Sequence, residues 1–251
     1  MLNEMTLNIL NHLKLFGMAR SLEERLNNQQ HAELSHAEFV GLLIEDEKAH
    51  RENKRLKLLL KQAHLKHTSA AMEDINYRQE RGLNRQVMLQ LGNTQWIDHH
   101  RNVLFTGATG LGKSWLACAL GNLAARAGLS VVYHRAPRLL ESLHRARGDG
   151  SHLRVLAQLA KIQLLILDDI LLTPLSEEQR VDLLEIVEDR YAAGATVITS
   201  QYALKDWHER IGDATIADAI CDRLFHNAYK IELKGGQSIR KLESVAQGAI
   251  Q

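Results

Sequence analysis

The segment from Gly107 to Ser114 constrains the fold of this chain more than any other stretch. It reads Gly-Ala-Thr-Gly-Leu-Gly-Lys-Ser and has the spacing Gly-x-x-x-x-Gly-Lys-Ser. An apolar run, Val103 to Phe105, precedes it, and a helical pattern from Trp115 to Ala127 follows it. Glycines at this spacing let backbone N–H groups turn towards an anion, and the helix directs the positive end of its dipole at the same point. The segment therefore predicts a phosphate-binding loop between a strand and a helix.

The side chains of this loop indicate which phosphate compound it holds. Lys113 supplies a mobile charge for β- and γ-phosphates, and Ser114 offers a hydroxyl ligand to Mg²⁺. We therefore predict ATP and Mg²⁺ as cofactors and ATP hydrolysis as the reaction. The residues expected to contact the nucleotide are Gly107, Ala108, Thr109, Gly110, Leu111, Gly112, Lys113, Ser114 and Trp115.

A second acidic element follows further along the chain. The apolar run 164–167 ends in two carboxylates, Asp168 and Asp169, and we expect this run to form a strand directly beside the P-loop strand. Asp168 would then hold Mg²⁺ through water, and Asp169 would orient or deprotonate the attacking water. Many ATPases of this kind carry the longer Glu at the second position, so Asp169 predicts a slower reaction. Two acids that merely end a strand are the alternative.

The pattern of apolar residues divides the chain into two parts. Before about Val103 it is helical only, with one helix predicted through Met5 to Phe16 and ended by Gly17, and another begun by a Ser35–Glu38 capping box. After it, short apolar runs alternate with amphipathic stretches, which is typical of a parallel sheet wrapped by helices. We predict a helical N-terminal domain over residues 1–68, for DNA or partner binding, and an α/β ATPase domain over 69–251.

The composition limits the kind of protein and its location. A net charge of +1 argues neither for nor against a polyanion partner, and two cysteines cannot form a disulfide framework. Neither a secretory signal nor an apolar stretch long enough for a bilayer is visible. We therefore expect a cytoplasmic protein with no membrane partner.

Two locally basic stretches are candidate DNA contacts. Long cations of this kind neutralise phosphates without reading bases, and few aromatic residues lie among them for base stacking. A solvated helix face is the alternative for each stretch. The residues are Arg51, Lys54, Arg55, Lys57, Lys61 and Lys66 in the first stretch, and Arg135, Arg138, Arg145, Arg147 and Arg154 in the second.

The motifs and their order resemble the IstB-like helper ATPases of bacterial insertion sequences. These belong to the AAA+ branch that also holds the DnaC helicase loader and the DnaA initiator. The resemblance is most specific in the segment 15–24, in the P-loop, and in the tail from Asp213 to Lys241. It implies a five-stranded parallel AAA+ sheet flanked by helices, without a full lid domain. It also implies a homo-oligomer with ATP at subunit interfaces, bound to duplex DNA and assisting the transposase of the same element.

The resemblance further implies roles for residues outside the two motifs. Thr199, Ser200 and Gln201 fall where the family carries a polar sensor near the γ-phosphate, and we select Ser200. Arg223 matches the arginine finger that reaches the ATP of a neighbouring subunit, with Arg190 as a competing candidate for a finger or a DNA contact. Arg240 matches the second sensor.

Three other functions remain open at this point. A DnaC-like helicase loader would share the ATPase and differ in its partner, while a small-molecule P-loop kinase would need a substrate pocket and a lid. A DNA-binding scaffold with negligible hydrolysis is the third. It stays open because Ile170 and Leu171 stand where relatives place an aromatic residue and a glycine.

Overall fold

A computed structural model describes residues 2–27, 34–77 and 81–235 of the 251-residue chain. The chain forms two compact units, Met1–Leu58 and Leu59–Gln251. The functional boundary after residue 68 stays a prediction. No helix within the described ranges is long and apolar enough to cross a membrane.

The first unit contains two short helices and most of a long one. The helices are α1 (Leu2–His12), α2 (Phe16–Leu26) and α3 (His36–Ala63). The prediction of one helix ended by Gly17 is wrong, because α1 ends at His12 and the chain turns at Lys14, whose φ is 60°. The Ser35–Glu38 capping box is confirmed, since Ser35 N–H donates to Glu38 Oε2 at 2.8 Å and Glu38 N–H donates to Ser35 Oγ at 3.3 Å.

A buried carboxylate joins α2 to α3. Glu47 Oε2 accepts the N–H groups of Gly17 at 2.6 Å and Met18 at 3.1 Å, which satisfies two free donors at the start of α2. A Cβ added to Gly17 would lie 2.7 Å from the Glu47 Cα, so the two helices approach too closely for a larger residue. Asp46 adds bonds to Ser21 and Arg25 on the same helix. These contacts give the segment 15–24 a structural role.

The second unit is a sheet with helices on both faces. Its strands are β1 (Asn102–Thr106), β2 (Val131–Arg135), β3 (Leu164–Ile170), β4 (Ala195–Ser200) and β5 (Ala228–Glu232). Its helices after α3 are α4 (Arg85–Leu91), α5 (Gln95–Asp98), α6 (Lys113–Arg126), α7 (Ala136–Gly148), α8 (His152–Ala160), α9 (Glu177–Arg190), α10 (Trp207–Ile211) and α11 (Ala214–Phe225).

The sheet is parallel throughout and has the order β2-β3-β4-β1-β5. The prediction that the acidic strand lies directly beside the P-loop strand is therefore wrong, because β4 lies between β1 and β3. All six residues of β4 are buried, as expected for a central strand. The carboxyl ends of β1, β3 and β4 meet at one edge of the sheet, where the predicted site residues lie.

Alternate residues of the central strands pack on opposite faces. Phe105, Ile166 and Val197 belong to the core beneath α6, the helix that follows the P-loop. Leu104, Leu167 and Ile198 belong to the core beneath α7, α9 and α11. Because both faces are covered, the strands are almost continuously apolar, and polar side chains concentrate at the strand ends.

Candidate nucleotide-binding site

The P-loop connects β1 to α6 through backbone that favours glycine. Gly107, Gly110 and Gly112 have φ values of 132°, 88° and 86°. A Cβ on Gly107 would lie 2.3 Å from the Leu233 carbonyl oxygen, so that position has no room for another residue. Gly112 is the N-cap of α6 and makes no side-chain cap hydrogen bond. The first N–H groups of the helix are therefore available to an anion.

Lys113 places its ammonium inside the loop. Its Nζ donates to the carbonyl oxygens of Gly107 at 2.6 Å and Ala108 at 2.8 Å. Burial lowers the pKa of Lys113, and the nearby carboxylates of Asp169 and Asp168 oppose that change. An ammonium held by neutral carbonyls can exchange them for phosphate oxygens, which are stronger acceptors because they are charged.

Asp168 lies at the centre of a hydrogen-bond cluster. Its carboxylate is fully buried, and Oδ1 accepts the hydroxyls of Ser114 at 2.6 Å and Thr199 at 2.7 Å. Oδ2 accepts the Tyr133 hydroxyl at 2.6 Å and lies 3.7 Å from Lys66 Nζ. Burial acts to raise the pKa of Asp168, but the hydroxyl donors outweigh it and hold the pKa below its ordinary value. Asp168 is therefore an anion at neutral pH.

The donor set at this point fits Mg²⁺. Ser114 and Asp168 offer a hydroxyl and a carboxylate oxygen, which are the hard ligands that Mg²⁺ prefers beside nucleotide phosphates. Their side chains are already in contact, although the two residues come from α6 and β3. These two residues would hold the ion, which would neutralise phosphate charge.

Asp169 has an unusual backbone and a cationic partner. Its φ is 58°, its N–H donates to Thr199 Oγ1 at 2.9 Å, and its Oδ2 lies 3.2 Å from Arg135 Nε. Leu171 is also left-handed, with φ 59°. A left-handed leucine costs about 1–2 kcal/mol, so this turn is kept although its residue is unfavourable.

The end of β4 carries polar groups that connect the two motifs. Thr199 bonds to both residues of the acidic pair, and Gln201 Oε1 accepts the Thr109 hydroxyl of the P-loop at 2.8 Å. Ser200, selected from the sequence, is fully buried and faces away, with its Oγ against the Ile170 carbonyl and the Tyr202 N–H. Alternation along a strand explains the difference, since Thr199 and Gln201 share one face. The structure therefore brings Thr199 and Gln201, rather than Ser200, into contact with the acidic pair and the P-loop, and the sensor role of Ser200 stays a prediction.

Two arginines were candidates for a finger, and the structure separates them. Arg190 is 3% exposed, and its guanidinium donates to the Leu159, Ile162 and Ala195 carbonyls and to the Thr196 hydroxyl. All its contacts are internal, so Arg190 as a finger or DNA contact is wrong. Burial lowers its pKa to about 10.

Arg223 is partly exposed, and its Nε lies 2.5 Å from Glu188 Oε2. It stands near the end of α11, just before β5 begins, and so at the amino edge of the sheet. The P-loop lies at the opposite edge. Arg223 is therefore too far from the P-loop of its own chain to contact the same nucleotide.

The remaining predicted contacts differ in exposure. Leu111 is buried in the core around α6, whereas Trp115 is half-buried and packs against the same core. Arg240 lies outside the described residues. Tyr133 was not predicted as a site residue, and Lys66 was predicted only as a DNA contact in the first basic stretch, because nothing in the sequence connects either of them to Asp168.

Comparisons with known proteins agree with this geometry. The family model described as IstB-like ATP binding protein matches residues 8–246. The insertion sequence ATP-binding protein y4pL of Sinorhizobium fredii is 50% identical over 241 residues, covering 96% of this chain and 98% of that protein.

Solved structures show the same fold. The DnaC helicase loader superposes with a TM-score of 0.53 at 20% identity, over 66% of this chain and 97% of the other. AMPPCP-bound DnaA from Aquifex aeolicus gives 0.56 at 18% identity, over 71% of this chain and 55% of the other. The second unit thus shares its fold with these DnaC and DnaA structures. With its loop, acidic pair and whole-length match, the chain belongs to the IstB-like ATP-binding protein family.

Proposed function

We propose that this protein is an ATPase that assembles on duplex DNA when it binds ATP and assists the transposase of its insertion sequence. The observation that carries the ATPase part is the convergence of Lys113, Ser114, Asp168 and Asp169 at one edge of the sheet. The relatives named as insertion sequence ATP-binding proteins support the transposition part, because proteins of one element act on the same DNA.

Each residue of the site has a distinct part in hydrolysis. Lys113 would bind the β- and γ-phosphates, and Ser114 with Asp168 would hold Mg²⁺. Asp169 orients and deprotonates water, for which its carboxylate must first leave the guanidinium of Arg135 at 3.2 Å. Thr199 contacts the acidic pair and Gln201 contacts the P-loop. Because both residues lie at the end of β4, they would couple the positions of the two motifs.

The arginine finger must come from another subunit. Arg223 lies at the edge of the sheet opposite the P-loop, and its exposed fraction allows it to exchange Glu188 for a phosphate of a neighbouring chain. A complete site then requires two subunits, which makes assembly depend on ATP. Fingers of this kind contribute about 10³–10⁵ to the rate of hydrolysis.

The basic stretches provide DNA contacts of the phosphate type. In the second stretch Arg135 pairs with Asp169, and Arg147 pairs with the buried Asp182, so these two serve the ATPase domain itself. The exposed cations of the two stretches include Arg138, Arg145 and Arg154 around α7 and α8, and Lys57 and Lys61 on α3. Such contacts bind duplex DNA with little sequence preference and weaken as salt rises.

The test is fluorescence anisotropy of labelled DNA with the full-length protein. We expect binding to duplex DNA to require ATP and a minimum duplex length, because only an oligomer adds many weak contacts on one molecule. Replacing Arg138 and Arg145 with alanine should flatten the salt dependence, since each lost phosphate contact changes the log–log slope by about 0.9. Lys205→Ala, an exposed cation beyond β4, is the matched control.

Two outcomes would contradict the proposal. Duplex binding that is the same with and without ATP would separate DNA binding from the nucleotide site. A clear preference for single-stranded DNA would instead favour a helicase loader, whose substrate is an opened duplex.

A further inference from the structure

Asp168 has a cationic neighbour that belongs to neither motif. The ammonium of Lys66 lies 3.7 Å from Asp168 Oδ2, beyond hydrogen-bond distance but close enough for direct attraction. Lys66 approaches Oδ2 of the carboxylate, whereas the Ser114 hydroxyl donates to the other oxygen, Oδ1. The Lys66 side chain is 39% exposed and Asp168 is fully buried, so the lysine side chain extends from solvent to the buried carboxylate.

The backbone around Lys66 is fixed to the helix that follows the P-loop. The backbone of Lys66 and His67 lies near the Cys118 thiol on α6, where it opposes the rise in the pKa of Cys118 that burial causes. Asn122, one turn further along, donates to the carbonyl oxygens of Thr68 at 3.1 Å and Ala70 at 2.7 Å. These anchors hold the start of the Lys66 side chain in place, so its position beside Asp168 is determined by the fold.

A lysine in this place competes electrostatically with a metal ion. Asp168 attracts both the ammonium and Mg²⁺, and the two cations repel each other across the same carboxylate. Tyr133 also donates to Oδ2 but carries no charge, so it orients the carboxylate without reducing its attraction for a cation to the same degree.

We propose that Lys66 is a positioning residue that acts as a permanent counter-charge to Asp168 and sets the Mg²⁺ concentration that nucleotide binding requires. The inference rests on the proposed Mg²⁺–ATP site. With Lys66 in place, Mg²⁺ is held weakly by the protein alone and binds chiefly together with the nucleotide phosphates. Removing the ammonium increases the affinity of the protein for the ion.

The test is a Mg²⁺ titration of nucleotide binding by the full-length protein, followed with a fluorescent, non-hydrolysable ATP analogue. Lys66→Met should lower the Mg²⁺ concentration at half-maximal binding by about two- to fivefold, the range of a partly exposed ion pair. Lys66→Arg keeps the charge and should stay near wild type. Lys161→Met removes an exposed lysine at the end of α8 and is the matched control. If Lys66→Met fails to fold, Lys66→Gln removes the charge with a polar side chain.

The outcomes separate this inference from its rivals. An unchanged Mg²⁺ midpoint in Lys66→Met, or an equal shift in Lys66→Arg, would overturn it. Weaker analogue binding in EDTA would also overturn it, because that result makes Lys66 a phosphate ligand. If wild-type protein binds the analogue without any response to Mg²⁺, the proposed site itself fails, and the inference fails with it.

Discussion

Replacing Thr199 with valine tests how β4 holds the acidic pair. Valine has nearly the same shape but lacks the hydroxyl, which donates to Asp168 Oδ1 at 2.7 Å and accepts the Asp169 N–H at 2.9 Å. Thr199 is fully buried, so water cannot replace either bond. The substitution therefore removes a donor from a buried anion and leaves a backbone N–H without its partner.

The magnitude follows from these two losses. A hydrogen bond to a charged group contributes about 1.5–3 kcal/mol, and an unsatisfied buried N–H costs about 1–3 kcal/mol. With partial relaxation we expect the free energy of unfolding to fall by about 3 kcal/mol, near the upper range for single substitutions. That corresponds to a decrease in melting temperature of about 6–12 °C for a domain of this size.

The loss should also depend on pH. The hydroxyl donors lower the pKa of Asp168 in the folded protein, so their stabilisation is complete above the ordinary carboxyl pKa of about 3.9. It disappears as pH falls through the lower, folded value. The difference between wild type and Thr199→Val should therefore be constant near neutral pH and should shrink below about pH 4.

Thermal unfolding followed by circular dichroism measures the change, and Thr199→Ser is the matched control. Serine keeps both hydrogen bonds and loses one methyl group, at a cost of about 1 kcal/mol. Steady-state phosphate release should fall at least about tenfold in Thr199→Val, because Asp169 loses the bond that orients its backbone. A valine variant as stable as wild type, or a serine variant less stable than valine, would refute the reasoning.

The remaining predictions concern the nucleotide and the subunit interface. Lys113→Ala should lose most ATP affinity in a fluorescent-ATP titration, because the phosphates lose the mobile cation of the loop; unchanged affinity would contradict the assignment. Asp169→Asn should keep ATP affinity but stop phosphate release, and normal release would mean that another group activates water. Arg223→Ala should bind ATP and hydrolyse it poorly, and mixing it with Asp169→Asn should restore activity, because one type of interface then contains both working groups. No recovery in the mixture would argue against a finger acting between subunits.

The sequence predicted those parts of the site that depend on local spacing. The P-loop is continuous in the chain, so its glycines and Lys113 determine its form regardless of the rest of the fold. The strand positions were also predictable, because runs of apolar residues bounded by polar ends leave little choice of structure.

Features that depend on distant contacts were not predictable in the same way. The order of strands is invisible in a fully apolar run, so β4 was not expected between β1 and β3. For the same reason the sequence did not show that Thr199, rather than Ser200, contacts the acidic pair, since a strand buried on both faces gives no sign of which residues face the site. Arg190 has an ordinary sequence context, and only the fold shows that its guanidinium is used internally.

The separation of Arg223 and the P-loop on opposite edges of the sheet gives a direction to an assembly in which Arg223 reaches the nucleotide of a neighbouring subunit. A contact that joins these two faces is head-to-tail, and such contacts produce either closed rings or open helical filaments. In a filament the subunit at one end has a P-loop that no arginine reaches, and the subunit at the other end has an arginine with no nucleotide to contact. Hydrolysis per subunit would then rise with filament length, because the one incomplete site is a smaller share of a longer filament. In a ring every subunit would be equivalent.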